Sequence, residues 1–217
     1  VKIEAVFFDI GETLIDEGEI YGRWADWLGV PRHTFLTKLG AELATGGGAP
    51  DVFEHFRPGF DLAAEEAGRE AAGLPNGFGP DDLYPDARCC LTGLHEQGVY
   101  VGVAGNQPAR AAGQFAALGL PADLVGISEL WGVEKPDPEF FARCAAECDI
   151  APGSILYVGD RIDNDVRPAL AYGMQAAFLR RGPWGHIQRD DAALARCRFV
   201  LADLADLPAR VAAHNAE

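Results

Sequence analysis

The chain has 217 residues, 48% hydrophobic and 24% charged, enough for one full core and an appended subdomain. Its net charge of −15 at pH 7 argues against nucleic acid or an anionic membrane as a partner, since both are polyanions. No stretch approaches the ~18 apolar residues of a membrane span, no signal-peptide pattern opens the chain, and five irregularly spaced cysteines make no disulfide framework, so a cytoplasmic setting is expected.

The first element lies in "AVFFDIGETL", residues 5–14. Val6, Phe7 and Phe8 form a β-branched and aromatic run, the pattern of a strand buried on both faces. Asp9 follows where the strand would leave its sheet, and Gly11 is expected to permit a tight turn. The residues alone leave Asp9 open as a nucleophile, a metal ligand or a helix cap. Glu12, next in the turn, is expected to be a solvated carboxylate.

Residues 16–83 read as an all-helical insertion. "EIYGRWADWLGV" puts Tyr21, Trp24 and Leu28 on one helical face, and "RHTFLTKLGAELA" continues with Phe35, Leu36 and Leu39. "TGGGAP" breaks the chain, "DVFEHF" is a short helix and "DLAAEEAGREAAGL" a longer one. Lys38 is expected to be a solvated helix lysine. "GLPNGFGP" is the expected return hinge, paired with "IDEGE" on the way out.

From Tyr84 onward strand and helix patterns alternate. "LYPDARCCLTGLHEQG" is a helix capped near Asp86, "VYVGVAG" a strand, "PARAAGQFAALGL" a helix and "ADLVGIS" a strand. "PEFFARCAAECD" is a helix with Cys144 and Cys148 on its core face, and "SILYVGD" a strand. "DVRPALAYG" follows as a helix, and "QAAFLRR" and "RFVLADL" are the last strands. The pattern predicts an α/β fold: a mainly parallel sheet with helices on both faces, plus a small helical subdomain. The core is expected over residues 1–15 and 84–217.

In such sheets the working residues gather at the carboxyl ends of the strands. Those ends carry Asp9, then Gly105 and Asn106, and then Asp160, Asp163 and Asp165; Lys135 sits among prolines and acids in "WGVEKPDPEFF". Carboxylates brought together repel unless a cation neutralises them, and an oxygen-only ligand set with room for water suits Mg²⁺. Mg²⁺, a lysine and a nucleophilic carboxylate make a phosphoryl-transfer constellation. Asp163 is expected to be a solvent-facing acid at a helix start instead of a ligand.

These motifs resemble the haloacid dehalogenase (HAD) superfamily of hydrolases. "FFDIGETL" looks like its nucleophile motif, "VGVAGNQ" its second motif, "GVEKPDPEFF" its lysine motif and "YVGDRIDNDVRPALAYGM" its acidic metal motif. The resemblance covers nearly the whole chain apart from the detail of the helical insertion. It implies a Rossmann-like core with a cap over residues 16–83, and Asp9 as a nucleophile that forms an aspartyl-phosphate. It further implies that Lys135 balances charge, and that Asp9, the Gly11 carbonyl and Asp160 hold Mg²⁺ with Asp165 in support. The substrate would be a small phosphorylated molecule.

Two positions depart from the family pattern. Gly11 stands where a second aspartate usually acts as acid and base. Gly105 stands where a Ser or Thr usually binds phosphate, leaving the backbone N–H groups of Gly105 and Asn106 as the cradle. These departures predict attenuated activity, restored in part by Gly11→Asp. They also keep two other readings in play: a dehalogenase-like hydrolase, whose halide leaves unprotonated, and a weakened protein that binds a phosphorylated ligand.

Overall fold

A computed structural model describes residues 1–217. Its centre is β1 (Ala5–Phe8), whose four residues are all buried. Val6 and Phe8 face one apolar layer, and Ala5 and Phe7 the other. The remaining strands are β2 (Tyr100–Gly105), β3 (Leu124–Ile127), β4 (Ile155–Gly159), β5 (Gln175–Leu179) and β6 (Phe199–Leu201). They form one sheet in the order β3-β2-β1-β4-β5-β6. Every pairing is parallel, so the expected "mainly parallel" sheet is wholly so. Such strands need crossovers, and the chain supplies helices on both faces.

One face carries α5 (Ala87–Glu96), α6 (Ala111–Ala117) and α12 (Leu207–Ala216), packed through Leu91, Leu94, Phe115 and Val211. The other carries α8 (Pro138–Cys148) and α9 (Arg167–Tyr172), packed through Phe140, Phe141, Cys144 and Ala169. Asp137 caps α8 by accepting from the Glu139 N–H at 2.9 Å, and Pro138 fills the first turn. The short helices α7 (Ser128–Trp131), α10 (Gly182–Ile187) and α11 (Asp191–Leu194) complete the connections.

The insertion between β1 and β2 holds α1 (Glu17–Leu28), α2 (Arg32–Ala44), α3 (Ala49–Phe56) and α4 (Leu62–Ala71). Asp16 caps α1 from the Gly18 N–H at 2.8 Å, and Gly29 ends it at φ 70°. The insertion has its own small core of Trp24, Phe35, Leu39, Val52 and Phe53. Leu36 was expected on that face but is 37% exposed, because it lies one step round the helix from the Phe35–Leu39 stripe. The outgoing and returning chains pair where they cross: the Asp16 N–H donates to Asp82 O at 2.7 Å and the Tyr84 N–H to Leu14 O at 2.9 Å. The crossing thus falls at Asp82–Tyr84, beyond most of "GLPNGFGP". Arg110, just before α6, reaches Glu66 on α4 at 2.6 Å, joining insertion to core.

Two further differences from the sequence reading have local causes. "DRIDNDV" opens with a π-helical turn over Ile162–Val166 in place of regular helix, because the Arg161 carbonyl accepts from both Asp165 and Val166. Cys144 is buried as expected, whereas Cys148, near the C-terminal end of α8, is only half-buried. No helix is long and apolar enough to cross a membrane.

Candidate active site

β1, β2 and β4 are neighbours, so their carboxyl ends open on one crevice. The Asp9 N–H donates to Val158 O at 2.9 Å, continuing the β1–β4 pairing one residue past the strand. That fixes Asp9 at the rim. Asp160 follows β4 directly, and Gly105 ends β2.

Lys135 arrives from the segment between α7 and α8, with a cis bond to Pro136. The Asn106 side chain grips its backbone twice: its amide donates to Lys135 O at 2.8 Å, and its carbonyl accepts from the Lys135 N–H at 2.8 Å. The Lys135 ammonium then lies 2.7 Å from Asp9 Oδ1 and 2.6 Å from Asp165 Oδ1, with the residue only 3% exposed. The Tyr157 ring is 5.4 Å beneath it. Burial works against its charge, but Asp165 and then Asp9 outweigh that and raise its pKa above the ordinary lysine value. It stays charged.

The acids around it are crowded. Single oxygens of Asp9, Asp160 and Asp165 lie within 4.8 Å of one another. Asp165 has both oxygens engaged, one by Lys135 and one by the Arg161 N–H at 3.0 Å. Burial nevertheless pushes its carboxyl up to about 6, against the pull of Lys135. Asp160 Oδ2 is buried with no hydrogen-bond partner, an arrangement that costs energy unless something else is bound there. Burial, then the charges of Asp165 and Asp9, raise the Asp160 carboxyl well above the usual range. An orphaned carboxylate oxygen within an all-oxygen donor set fits a hard divalent cation such as Mg²⁺. Gly11 lines the same cavity of about 120 Å³, together with Asn106 and Lys135.

A β-carbon on Gly105 would stand 2.7 Å from Asp9 Oδ1 and 3.2 Å from Ile10 Cγ1. Glycine there makes room for the carboxylate that Lys135 holds in place. Asp163 lies outside the cluster, exposed and paired with Arg161 at 2.8 Å, as its sequence context implies. Lys38 pairs with Glu42 within α2. A larger cavity of about 730 Å³ opens beside Asn106 and α7. It is lined by Glu129, Glu134, Asp137 and Glu139 and includes none of the acids around Lys135.

Glu12 corrects the sequence reading. It is 8% exposed, adopts φ 52°, and accepts from the Tyr84 hydroxyl at 2.7 Å. Burial raises its carboxyl, with Tyr84 pulling the other way. The partner that buries it comes from the far side of the insertion, out of reach of any local pattern.

Glu17 was missed altogether. A β-carbon on Gly11 would stand 2.8 Å from Glu17 Cδ. Gly11 is not among the residues with positive φ, and the flexible end of Glu17 occupies the space beside it. Burial, then the charges of Glu12 and Asp9, push the Glu17 carboxyl up to about 8 from an ordinary 4.5. Folding therefore favours its protonated form. That contribution is intact below about pH 4.5 and is lost as pH rises through about 8. In metal-free buffer, Glu17→Gln should melt at a similar temperature to the native chain at pH 5 and progressively higher than it toward pH 9. Parallel melting curves across that range would refute the shift.

A parallel sheet in this order, with a helical insertion after β1 and this lysine–carboxylate cluster at its carboxyl edge, defines an HAD-type hydrolase. Residues 3–173 match the family described as haloacid dehalogenase-like hydrolase, and the chain belongs to it. The chain is 31% identical over 190 residues to the phosphoserine phosphatase of Thermus thermophilus, covering 79% of this chain and 72% of that one. It is 36% identical over 104 residues to the glyceraldehyde 3-phosphate phosphatase of Methanopyrus kandleri, a stretch of 46% of this chain and 45% of the relative. That second match spans less than half of the relative's length. The crystal structure of a HAD phosphatase from Thermococcus onnurineus shares the fold, with a TM-score of 0.60, 21% identity, and coverage of 94% of this chain and 96% of that one.

Proposed function

We propose that the protein is a Mg²⁺-dependent phosphatase acting on a small phosphorylated metabolite through an aspartyl-phosphate on Asp9. The observation that carries this reading is the buried Lys135 ammonium bridging Asp9 and Asp165 beside the unpartnered Asp160 oxygen. In this reading Asp9 and Asp160, with the Gly11 carbonyl, hold the metal. When bound, Mg²⁺ supplies positive charge for the phosphoryl oxygens. Lys135 holds Asp9 in position and offsets its charge as a dianionic phosphate approaches. Asp165 positions Lys135, and the Gly105 and Asn106 N–H groups cradle a phosphoryl oxygen. Residues 16–83 act as the cap over the core of residues 1–15 and 84–217.

The substrate class draws support from relatives named for phosphoserine and glyceraldehyde 3-phosphate. The orphaned Asp160 favours this reading over carbon–halogen hydrolysis, which has no use for a cation at that point. A panel of phosphate monoesters, acyl phosphates and 2-haloacids, assayed with and without Mg²⁺, tests it. Phosphate release that requires Mg²⁺ is expected, and metal-independent halide release would overturn the proposal.

Metal binding has its own signature. A ligand that binds the native state adds RT ln(1 + [L]/Kd), about 2.7 kcal/mol at a hundredfold excess over Kd. Mg²⁺ should raise the melting temperature accordingly. Asp160→Asn should remove most of that shift, and Asp163→Asn should leave it nearly intact. The reverse order would show that the acidic motif has been assigned wrongly.

A further inference from the structure

We propose that Glu17 supplies the carboxyl group that position 11 lacks, serving as acid toward the leaving oxygen and as base toward the attacking water. The proposal deepens the phosphatase reading and rests on it. Three observations carry it.

The first is the shared volume. An aspartate at position 11 would project its carboxyl into the space that the Glu17 carboxyl fills, since even a β-carbon there stands 2.8 Å from Glu17 Cδ. An aspartate there would require the flexible end of Glu17 to swing out of this space. The second is that no group of the protein donates a hydrogen bond to the Glu17 side chain, although it is mostly shielded from solvent. Its neighbour Asp16 caps α1 instead, which leaves Glu17 free of that task. The third is its place among the cavities. Glu17 lines the Asp9 cavity, the cavity beside Phe78 and Gln114, and a cavity of about 210 Å³ walled by Tyr21, Leu39, Leu43 and Trp184. Glu12 borders the first and last of these cavities as well, but its carboxylate already accepts from the Tyr84 hydroxyl, whereas that of Glu17 is not so held. The backbone position of Glu17 is anchored, because the Asp16 N–H ties the start of α1 to Asp82 O at 2.7 Å.

The chemistry balances as follows. An Asp9 oxygen bonds to phosphorus and the bond from phosphorus to the ester oxygen breaks. The electron pair of that bond goes to the leaving oxygen, which takes the Glu17 proton and departs as the alcohol. Water then attacks phosphorus and gives one proton to the Glu17 carboxylate. The bond to Asp9 breaks with its electron pair returning to the carboxylate, and inorganic phosphate leaves.

The test compares glycerol phosphate with p-nitrophenyl phosphate in the native protein, Glu17→Gln, Glu12→Gln, and Gly11→Asp with and without Glu17→Gly. Glu17→Gln should lower glycerol phosphate turnover by about 10²–10⁴, while first-turnover nitrophenol release falls by less than about tenfold. Rapid acid quench with labelled phosphate should show phosphoenzyme accumulating in that variant, because water attack has lost its base. Gly11→Asp alone should displace the end of Glu17 from its place and lower turnover, and the pair Gly11→Asp with Glu17→Gly should recover it. A Glu17 with a purely structural role would not be replaced by a carboxylate on another residue. Equal losses on both esters without accumulation, or a selective loss in Glu12→Gln instead, would overturn the role of Glu17 and leave the phosphatase reading standing. No Mg²⁺-dependent phosphate release from either ester by the native protein would overturn the phosphatase reading itself.

Discussion

Asp9→Asn is expected to abolish turnover, by about 10⁴–10⁶ on the scale seen when other enzymes lose their nucleophile, and to leave no phosphoenzyme on acid quench. The substitution keeps the shape of the side chain and removes its charge. An amide is a poor nucleophile, and an amide nitrogen turned toward Lys135 would meet a donor with a donor. The fold should survive, because Lys135 keeps its 2.6 Å pair with Asp165 and the Asp9 backbone keeps its bond to Val158. The Mg²⁺-induced thermal shift should shrink, since one of three converging carboxylates becomes neutral. Circular dichroism and melting in the same buffers separate loss of chemistry from loss of fold. A folded Asp9→Asn protein that still releases phosphate at a tenth of the native rate would remove Asp9 from the nucleophile's place.

The parts of the site legible in the sequence were those marked by abrupt local change. "AVFF" and "ILYVG" are apolar runs that end on a carboxylate, and "EKP" carries one of only three lysines in the chain. Parallel pairing then brings the ends together without further instruction, because each strand must leave the sheet on the same edge. Glu12 was misread because its signals are ordinary: a carboxylate in a turn is usually solvated, and its burying partner Tyr84 lies 72 residues away. Glu17 was hidden for a related reason. An acid in the first turn of a helix is favoured by the helix dipole, so its presence attracts no notice. Only the packing of α1 over β1's exit shows that it fills the space Gly11 leaves. Gly11 is visible in the sequence as a departure and reads there as a turn glycine, whereas its φ is not positive and the Glu17 carboxyl lies beside it. The expected attenuation follows from the missing carboxyl at position 11, and the Glu17 proposal offers a carboxyl in its place.

Lys135→Met should damage both stability and turnover. Methionine nearly matches the length and apolar stem of lysine, so packing against Tyr157 and Phe140 is largely kept. What is lost is the only cation within hydrogen-bond reach of Asp9 and Asp165. Removing one partner of a buried ion pair leaves uncompensated charge and typically costs about 3–5 kcal/mol. The variant should therefore melt well below the native chain at pH 8, and turnover should fall at least about 10³-fold, as expected when a group that offsets charge around the transferring phosphoryl is removed. The pH dependence gives the sharper test. Burial already pushes the Asp165 carboxyl up to about 6 with Lys135 present, so folding favours its protonated form, and stability falls as pH rises through that value. Without the ammonium, which pulls it down, its folded pKa should rise further. The loss of stability then extends to higher pH, and acidification from pH 8 toward 6 should recover more of the melting temperature in Lys135→Met than in the native chain. Mg²⁺ should recover part of it at pH 8 by neutralising the same carboxylates. Lys135→Arg is not expected to rescue either property, because a planar guanidinium does not fit the compact space between Asp9, Asp165 and the Tyr157 ring. Identical pH profiles for Lys135→Met and the native protein would mean that Lys135 does not govern the charge of the acidic cluster.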